Sequence, residues 1–149
     1  MSFLFSLKTI IGTMTPLEAV KQKFQQEFNS KPRVFSAPGR VNIIGEHTDY
    51  NEGFVLPAAI DKAAYLAVGP ANGSKGRWIS VDFNDVAEID FENIEKHEKS
   101  WVNYLLGVLD QFGKSGKKIP AFNAVLSADV PLGQDCRHPL LSNLLRLLH

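Results

Sequence analysis

The sequence contains a single cysteine, Cys136, among its 149 residues. An intramolecular disulfide is therefore excluded, and the composition fits a protein of the reducing cytoplasm. The sequence also lacks a net charge, because 16 Lys and Arg residues are balanced by 16 Asp and Glu residues. Since no net field attracts nucleic acid or an anionic membrane, we expect neither as a partner.

Long hydrophobic runs are absent as well. The opening residues 1–13 are apolar, but Lys8 interrupts them, no basic segment precedes them, and they are too short to cross a bilayer. We do not interpret them as a targeting signal. Because Met14 stands just before a clear helix start, we predict that Met14 is the natural initiator and that residues 1–13 are a non-native upstream extension.

Two segments have the pattern of amphipathic helices. Thr15 can cap the first, Pro16 fits its first position, and Glu18 completes a capping box. Apolar residues then recur at spacings of three and four up to Phe28. The same spacing returns from Trp101 and predicts a second helix, which we expect Gly113 to close: Trp101, Leu105, Val108, Leu109, Phe112.

Other segments favour strands. Alternation is clearest in residues 78–83 and 121–128, weaker in 87–94, and a short strand is expected at 33–36. The run 58–68 is ambiguous in period, although its end favours a strand. With 44% hydrophobic residues, the chain can bury the core of one α+β domain.

Apolar packing does not account for residues 38–53. Gly39 and Gly45 bracket the apolar residues 41–44, which predicts a turn, a short buried strand and a second turn. The five positions that follow carry two carboxylates, an imidazole and two hydroxyls: Glu46, His47, Thr48, Asp49 and Tyr50. A core strand does not tolerate that density of polar groups, so we interpret the stretch as a binding site.

The residue types of this stretch suit a sugar held beside a phosphate. Glu, His and Asp side chains match the vicinal hydroxyls of a polyol. Arg40 is the one cation of the stretch, and a fixed guanidinium can stabilise charge on a transferring phosphoryl group. Three alternatives stay open: a plain ion pair for Arg40, a loop role for His47, and a metal site formed by Glu46, His47 and Asp49.

The stretch resembles the signature of the galactokinases, a family of GHMP small-molecule kinases. The residues that carry the resemblance are Gly39, Arg40, Asn42, Ile44, Gly45, Glu46, His47, Asp49 and Tyr50. The similarity continues through 51–57, returns at 122–124 and 129–133, and covers roughly residues 15–133. It implies the N-terminal half of a GHMP-kinase-like fold, with a mixed sheet covered by the two helices, and a galactose-binding domain at 14–133.

The resemblance also implies roles for single residues. Glu46, His47 and Asp49 would bind the sugar hydroxyls, Thr48 would belong to the same sugar-binding stretch, and Asn42 and Tyr50 would support the loop. Arg40 would act at the transition state of γ-phosphoryl transfer from MgATP to the anomeric hydroxyl of galactose. Two other functions remain open: a sugar-binding remnant without catalysis, and a kinase for a related sugar such as N-acetylgalactosamine.

The sequence departs from the family after Gly133. Galactokinases continue there into a Gly- and Ser-rich loop that opens a helix and holds the ATP phosphates and Mg²⁺. Residues 134–149 contain no such loop, and Cys136 with His138 is too few ligands for a metal site. An earlier Gly-Lys-Ser, at 113–115, follows a predicted helix instead of a strand, so we interpret it as a basic turn.

Our hypothesis for the departure is a lost nucleotide. If Gly133 is encoded by GGG, synonymous codons for residues 134–149 exist that, regrouped from the last base of Gly133, spell Ala-Gly-Leu-Ser-Ser-Ser-Ala, which is the expected loop. We therefore predict that 134–149 is an out-of-frame tail, that the ATP and Mg²⁺ sites are missing from this chain, and that it turns over little or no substrate. Sequencing of the locus tests the frame.

Overall fold

The computed structural model describes residues 14–44, 53–117 and 119–130. Helix α1 spans Pro16–Phe28. Its predicted capping box is confirmed, because the Glu18 amide donates to Thr15 Oγ1 at 3.3 Å and the Thr15 amide donates to Glu18 Oε2 at 3.0 Å. Asn29 ends the helix in the left-handed region, at φ 47°.

Five strands form one sheet, and a second helix lies between the fourth and fifth strands in the sequence. Their bounds are β1 Arg33–Ile44, β2 Leu56–Pro70, β3 Lys75–Ser80, β4 Asp85–Asp90, α2 Ser100–Lys114 and β5 Phe122–Ala128. The strand order is β1-β2-β5-β3-β4, with β3 and β5 parallel and all other neighbours antiparallel. The prediction of an α+β fold with a mixed sheet is confirmed.

The two helices cover opposite faces of the sheet. Val20 and Phe24 of α1 pack with Ala67, Ile79 and Val125. Buried residues of α2 pack on the other face, where the sheet contributes a larger cluster: Ala64, Leu66, Trp78, Ala87, Ile89, Ala124 and Leu126. The central strands therefore bury alternate residues on both faces, as a sheet between two layers requires.

The prediction for residues 38–44 is wrong in two respects. Pro38 and Gly39 do not form a turn but lie within β1, which runs unbroken from Arg33 to Ile44. The segment 41–44 is not buried either, since Ile43 and Ile44 are 64% and 66% exposed. Gly39 is there because Ile60 of the neighbouring strand packs against it: a methyl group at Gly39 would lie 2.9 Å from Ile60 Cδ1.

Smaller corrections concern where elements end. Strand β3 stops at Ser80, and residues 81–84 turn into β4, with Asn84 at φ 47°. Helix α2 continues through Gly113, and Ser115 caps it. The ambiguous segment 58–68 is wholly within β2.

The predicted extension at 1–13 and the predicted tail at 134–149 lie outside the described residues, so their boundaries remain predictions. In the part of the chain that the structure describes, neither helix is long and apolar enough to cross a membrane.

Candidate functional site

Strands β1 and β2 extend beyond the rest of the sheet. Strand β5 pairs with β2 only between Ala64 and Pro70, whereas β1 pairs with β2 as far as Leu56. We call residues 40–44 and 53–62 the β1–β2 arm. The arm carries Arg40 and Asn42, which are the two predicted site residues that the structure places.

Two register irregularities frame this part of β1. They lie between Pro38 and Arg40 and between Asn42 and Ile44, and residues 40–42 between them pair regularly with 57–59. Because side chains two apart in a regular strand project to the same face, Arg40 and Asn42 lie on one face of the arm. Bulges of this kind are common beside functional sites, where they direct side chains.

The rest of the predicted site, Glu46, His47, Thr48, Asp49 and Tyr50, lies outside the described residues. Arg40 is exposed, and no carboxylate within 14–44, 53–117 or 119–130 forms an ion pair with it. The five N–H donors of Arg40 therefore have no carboxylate partner among the described residues.

Two aspartates that the sequence reasoning did not assign hold the end of β5. Asp129 Oδ1 accepts from the Ala63 amide at 2.6 Å, and the Asp129 amide donates to the Ala63 carbonyl at 3.2 Å. Asp82 accepts from Ser127 Oγ and from the Ala128 amide, both at 2.8 Å. Asp129 directly follows the alternating run 121–128, and that position was the available signal, whereas Asp82 lies inside the run 78–83 and gave none.

The Asp129 contacts fix the base of the β1–β2 arm. Lys62 Nζ also lies 3.8 Å from Asp129 Oδ2. Charge-assisted hydrogen bonds to a backbone amide are stronger than neutral ones. The point where β5 ends is therefore held against β2, next to the segment that carries Arg40 on the neighbouring strand.

A second polar cluster joins β4 to the start of α2. Asp85 accepts from Lys99 Nζ at 2.5 Å and from Trp101 Nε1 at 3.0 Å. These hydrogen bonds, the one from Lys99 first, lower the pKa of the Asp85 carboxyl to about 2. Lys99 Nζ also donates to the Val86 carbonyl at 2.6 Å, so the cluster acts as a structural tie between β4 and the start of α2.

Two cavities among the described residues lie away from the arm. One of about 810 Å³ is lined by Pro70, Phe91 and Ile119, among others, at the opposite end of β2. Another of about 420 Å³ lies beside it, under Arg33 and Phe35. In the described ranges no three His, Cys, Asp or Glu side chains come together to hold a metal ion. Neither cavity is lined by any of the predicted site residues.

Comparison with known proteins points to one family. The model of the galactokinase galactose-binding signature matches residues 22–70, which include all of β1 and β2. A galactokinase of Chloroflexus aurantiacus is 42% identical over 124 residues, and one of Bacillus subtilis is 39% identical over 122 residues. These matches cover 80% and 78% of this chain but 31% of each relative.

A solved galactokinase structure is also similar to this chain. The galactokinase of Lactococcus lactis, solved in complex with galactose, superposes with a TM-score of 0.76 at 30% identity and covers 85% of this chain. The mevalonate kinase of Methanococcus jannaschii superposes with a TM-score of 0.61 at 14% identity, which shows the fold alone. The chain spans about a third of the length of the galactokinases it matches.

Proposed function

The chain belongs to the galactokinase family, and we propose that it forms the galactose-binding part of a galactokinase site. The observation that carries the proposal is the signature match over residues 22–70. Within that range β1 brings Arg40 and Asn42 to one face of the β1–β2 arm and continues directly into the polar stretch 46–50. A small-molecule sugar is the partner that such a stretch suits.

The proposed roles follow from the donors and acceptors of each side chain. Carboxylates of Glu46 and Asp49 accept hydrogen bonds from sugar hydroxyls, and the imidazole of His47 offers one donor and one acceptor. Thr48 and Tyr50 add hydroxyl groups on the same stretch, and the Asn42 amide supports the loop from the adjoining strand. Arg40 supplies the guanidinium that, in this proposal, stabilises the negative charge that develops during phosphoryl transfer in a whole galactokinase.

Phosphoryl transfer belongs, in this proposal, to a whole galactokinase and not to this chain. The family implies ATP and Mg²⁺, but the described residues do not fit a metal, since no three ligating side chains come together there. The sequence 134–149 offers no glycine- and serine-rich loop for phosphates. We therefore derive no step through MgATP, and we expect no galactose 1-phosphate from this chain alone.

Calorimetric titration with galactose tests the binding proposal, with glucose, its C4 epimer, as the control ligand. We expect a binding heat with galactose and a markedly weaker one with glucose, because a site that hydrogen-bonds one hydroxyl rejects a sugar in which it points elsewhere. Asp49→Asn should abolish binding, whereas Asp61→Asn, at an exposed carboxylate on the arm, should not.

Folding of each variant is checked by far-ultraviolet circular dichroism. Binding that is lost equally in both variants, or no binding by a folded wild-type chain, would contradict the proposed function. Formation of galactose 1-phosphate by the purified chain with ATP would contradict the claim that catalysis requires more than this chain.

A further inference from the structure

The turn between β2 and β3 contains the one Asn-Gly pair of the sequence, Asn72-Gly73. Both residues are exposed. Gly73 is in the left-handed region, at φ 83°, and a methyl group on it would meet no atom within 4 Å. The backbone at Gly73 is therefore open to solvent and to the side chain that precedes it.

Backbone hydrogen bonds hold the chain on either side of this pair. The Ala71 amide donates to the Ala121 carbonyl at 3.1 Å, and the Phe91 amide donates to the Ser74 carbonyl at 2.9 Å. Among the described residues, no carbonyl accepts a backbone hydrogen bond from the Gly73 amide in this turn. The Gly73 nitrogen is thus available to react, whereas the chain is fixed just before and just after the pair.

An exposed Asn-Gly pair with an available amide can react with water. The Gly73 nitrogen attacks Cγ of Asn72, a new N–C bond closes a five-membered succinimide ring, and the side-chain nitrogen leaves as ammonia with the amide proton. Water then opens the ring at one of its two carbonyls, which gives either aspartate or isoaspartate. Glycine favours ring closure because it has no Cβ beside the attacking nitrogen.

We propose that Asn72 is a site of spontaneous deamidation in the folded chain, and that isoaspartate at this position opens the β2–β3 turn. Isoaspartate routes the main chain through its side-chain methylene, which adds one backbone bond of about 1.5 Å to a turn whose ends are fixed. On the β2 side a second hydrogen bond, from Asn123 Nδ2 to the Pro70 carbonyl at 3.3 Å, secures the chain. We therefore expect the bond from the Phe91 amide to the Ser74 carbonyl to break first.

The proposal goes beyond the proposed function and does not depend on it. The turn follows Pro70, at the end of β2 that is remote from the β1–β2 arm. Loss of galactose binding would leave the reaction at Asn72 unaffected, and an intact Asn72 would leave galactose binding unaffected.

Peptide mapping of the aged chain tests the reaction. The folded 149-residue chain is incubated at mildly alkaline pH in water enriched in oxygen-18 and is then digested with trypsin in ordinary water. Peptide 63–75 contains Asn72 and no other Asn or Gln, so a labelled carboxylate there reports on this residue alone. Asn84 is the matched internal control, because it is exposed at φ 47° on the β3–β4 turn but is followed by Asp85. We expect labelling at Asn72, mostly as isoaspartate, to be at least about tenfold faster than at Asn84, because only Asn72 precedes a glycine.

Hydrogen exchange tests the effect on the turn. The Phe91 amide should be protected in the fresh chain and lose protection in the isoaspartate form. Freshly prepared Asn72→Asp carries the same charge without the added backbone bond, and aged Asn72→Gln cannot form the five-membered ring, so both should keep that protection.

The proposal is overturned if peptide 63–75 takes up no label, if Asn72 and Asn84 react at equal rates, or if the labelled product is aspartate alone. Unchanged protection of the Phe91 amide in the isoaspartate form also overturns it. So does an equal loss of protection in fresh Asn72→Asp, because the charge would then be the cause.

Discussion

The substitution Gly76→Ala should strongly destabilise the fold. Gly76 lies on β3, close to the neighbouring parallel strand β5. A methyl group at Gly76 would lie 2.2 Å from the Phe122 carbonyl oxygen and 2.8 Å from Phe91 Cε2. The nearer atom belongs to the backbone of a paired strand, so relief requires the sheet to shift. That shift also endangers the hydrogen bond that Trp78 Nε1 donates to the same carbonyl at 3.2 Å.

Overpacking of a filled core costs about 1–3 kcal/mol, and loss of a buried hydrogen bond adds about 1 kcal/mol. We therefore expect Gly76→Ala to lower the free energy of unfolding by about 3 kcal/mol, equivalent to a fall in Tm of about 10 °C for a domain of this size.

Gly107→Ala is the matched control. Gly107 is an exposed position of α2, and a methyl group there would meet no atom within 4 Å. Because alanine is the better helix former, this variant should gain about 0.5–1 kcal/mol. Urea unfolding followed by circular dichroism measures both variants. If Gly76→Ala remains within 0.5 kcal/mol of the wild type, roughly the scatter of surface substitutions, the close approach of β3 and β5 is refuted.

Three other predictions concern the two helices and their junctions. Phe24→Ala should cost about 3–5 kcal/mol, measured by urea unfolding, because Phe24 is fully buried between α1 and the sheet. Thr15→Ala should cost about 1 kcal/mol in the same assay by removing the capping box with Glu18. Asp85 has its pKa lowered from 3.8 to about 2 when folded, so its stabilising tie is present above about pH 3.8 and lost as pH falls through 2. Asp85→Asn should remove that part of the acid dependence in urea midpoints measured between pH 6 and pH 2.

Each of these predictions has an outcome that contradicts it. A loss below about 1 kcal/mol for Phe24→Ala would mean that α1 is not anchored through this ring. No change for Thr15→Ala would mean that the cap does not form in solution. An acid dependence identical in Asp85→Asn and the wild type would show that the carboxyl is not held by Lys99 and Trp101.

The elements that the sequence predicted well are those governed by local chemistry. The capping box at Thr15 and Glu18 involves residues three apart, so its pattern is readable without knowledge of the fold. The run 121–128, predicted as an alternating strand, likewise contains β5, in which Ala124 and Leu126 lie in the same buried cluster.

Contacts between distant residues could not be read in the same way. Gly39 was predicted to form a turn, but it is needed because Ile60 of β2 packs against it from across the strand pair. The sequence also did not reveal that the two helices cover opposite faces of the sheet. Val125 packs with α1, whereas its neighbours Ala124 and Leu126 pack with α2, and because all three are apolar their pattern does not distinguish the two faces. Likewise, Gly113 does not end α2, which closes at Ser115.

The described residues include part of the candidate site. The structure places Arg40 and Asn42 on one strand of the arm, and their roles stay predictions. The bonding of Asp82 and Asp129 at the end of β5 depends on the pairing of distant strands, so the sequence did not reveal it. The roles of Glu46, His47, Thr48, Asp49 and Tyr50 stay predictions.

A titration of the isotope-labelled chain with galactose, followed by amide chemical shifts in NMR spectra, tests the central claim most directly. If residues 40–50 form a galactose site, the amides of Arg40 and Asn42 shift with saturation, while those of Gly73 and Phe122 at the far end of the sheet do not. Shifts confined to the far end, or none at all at saturating galactose, would contradict the assignment of this chain to galactose binding.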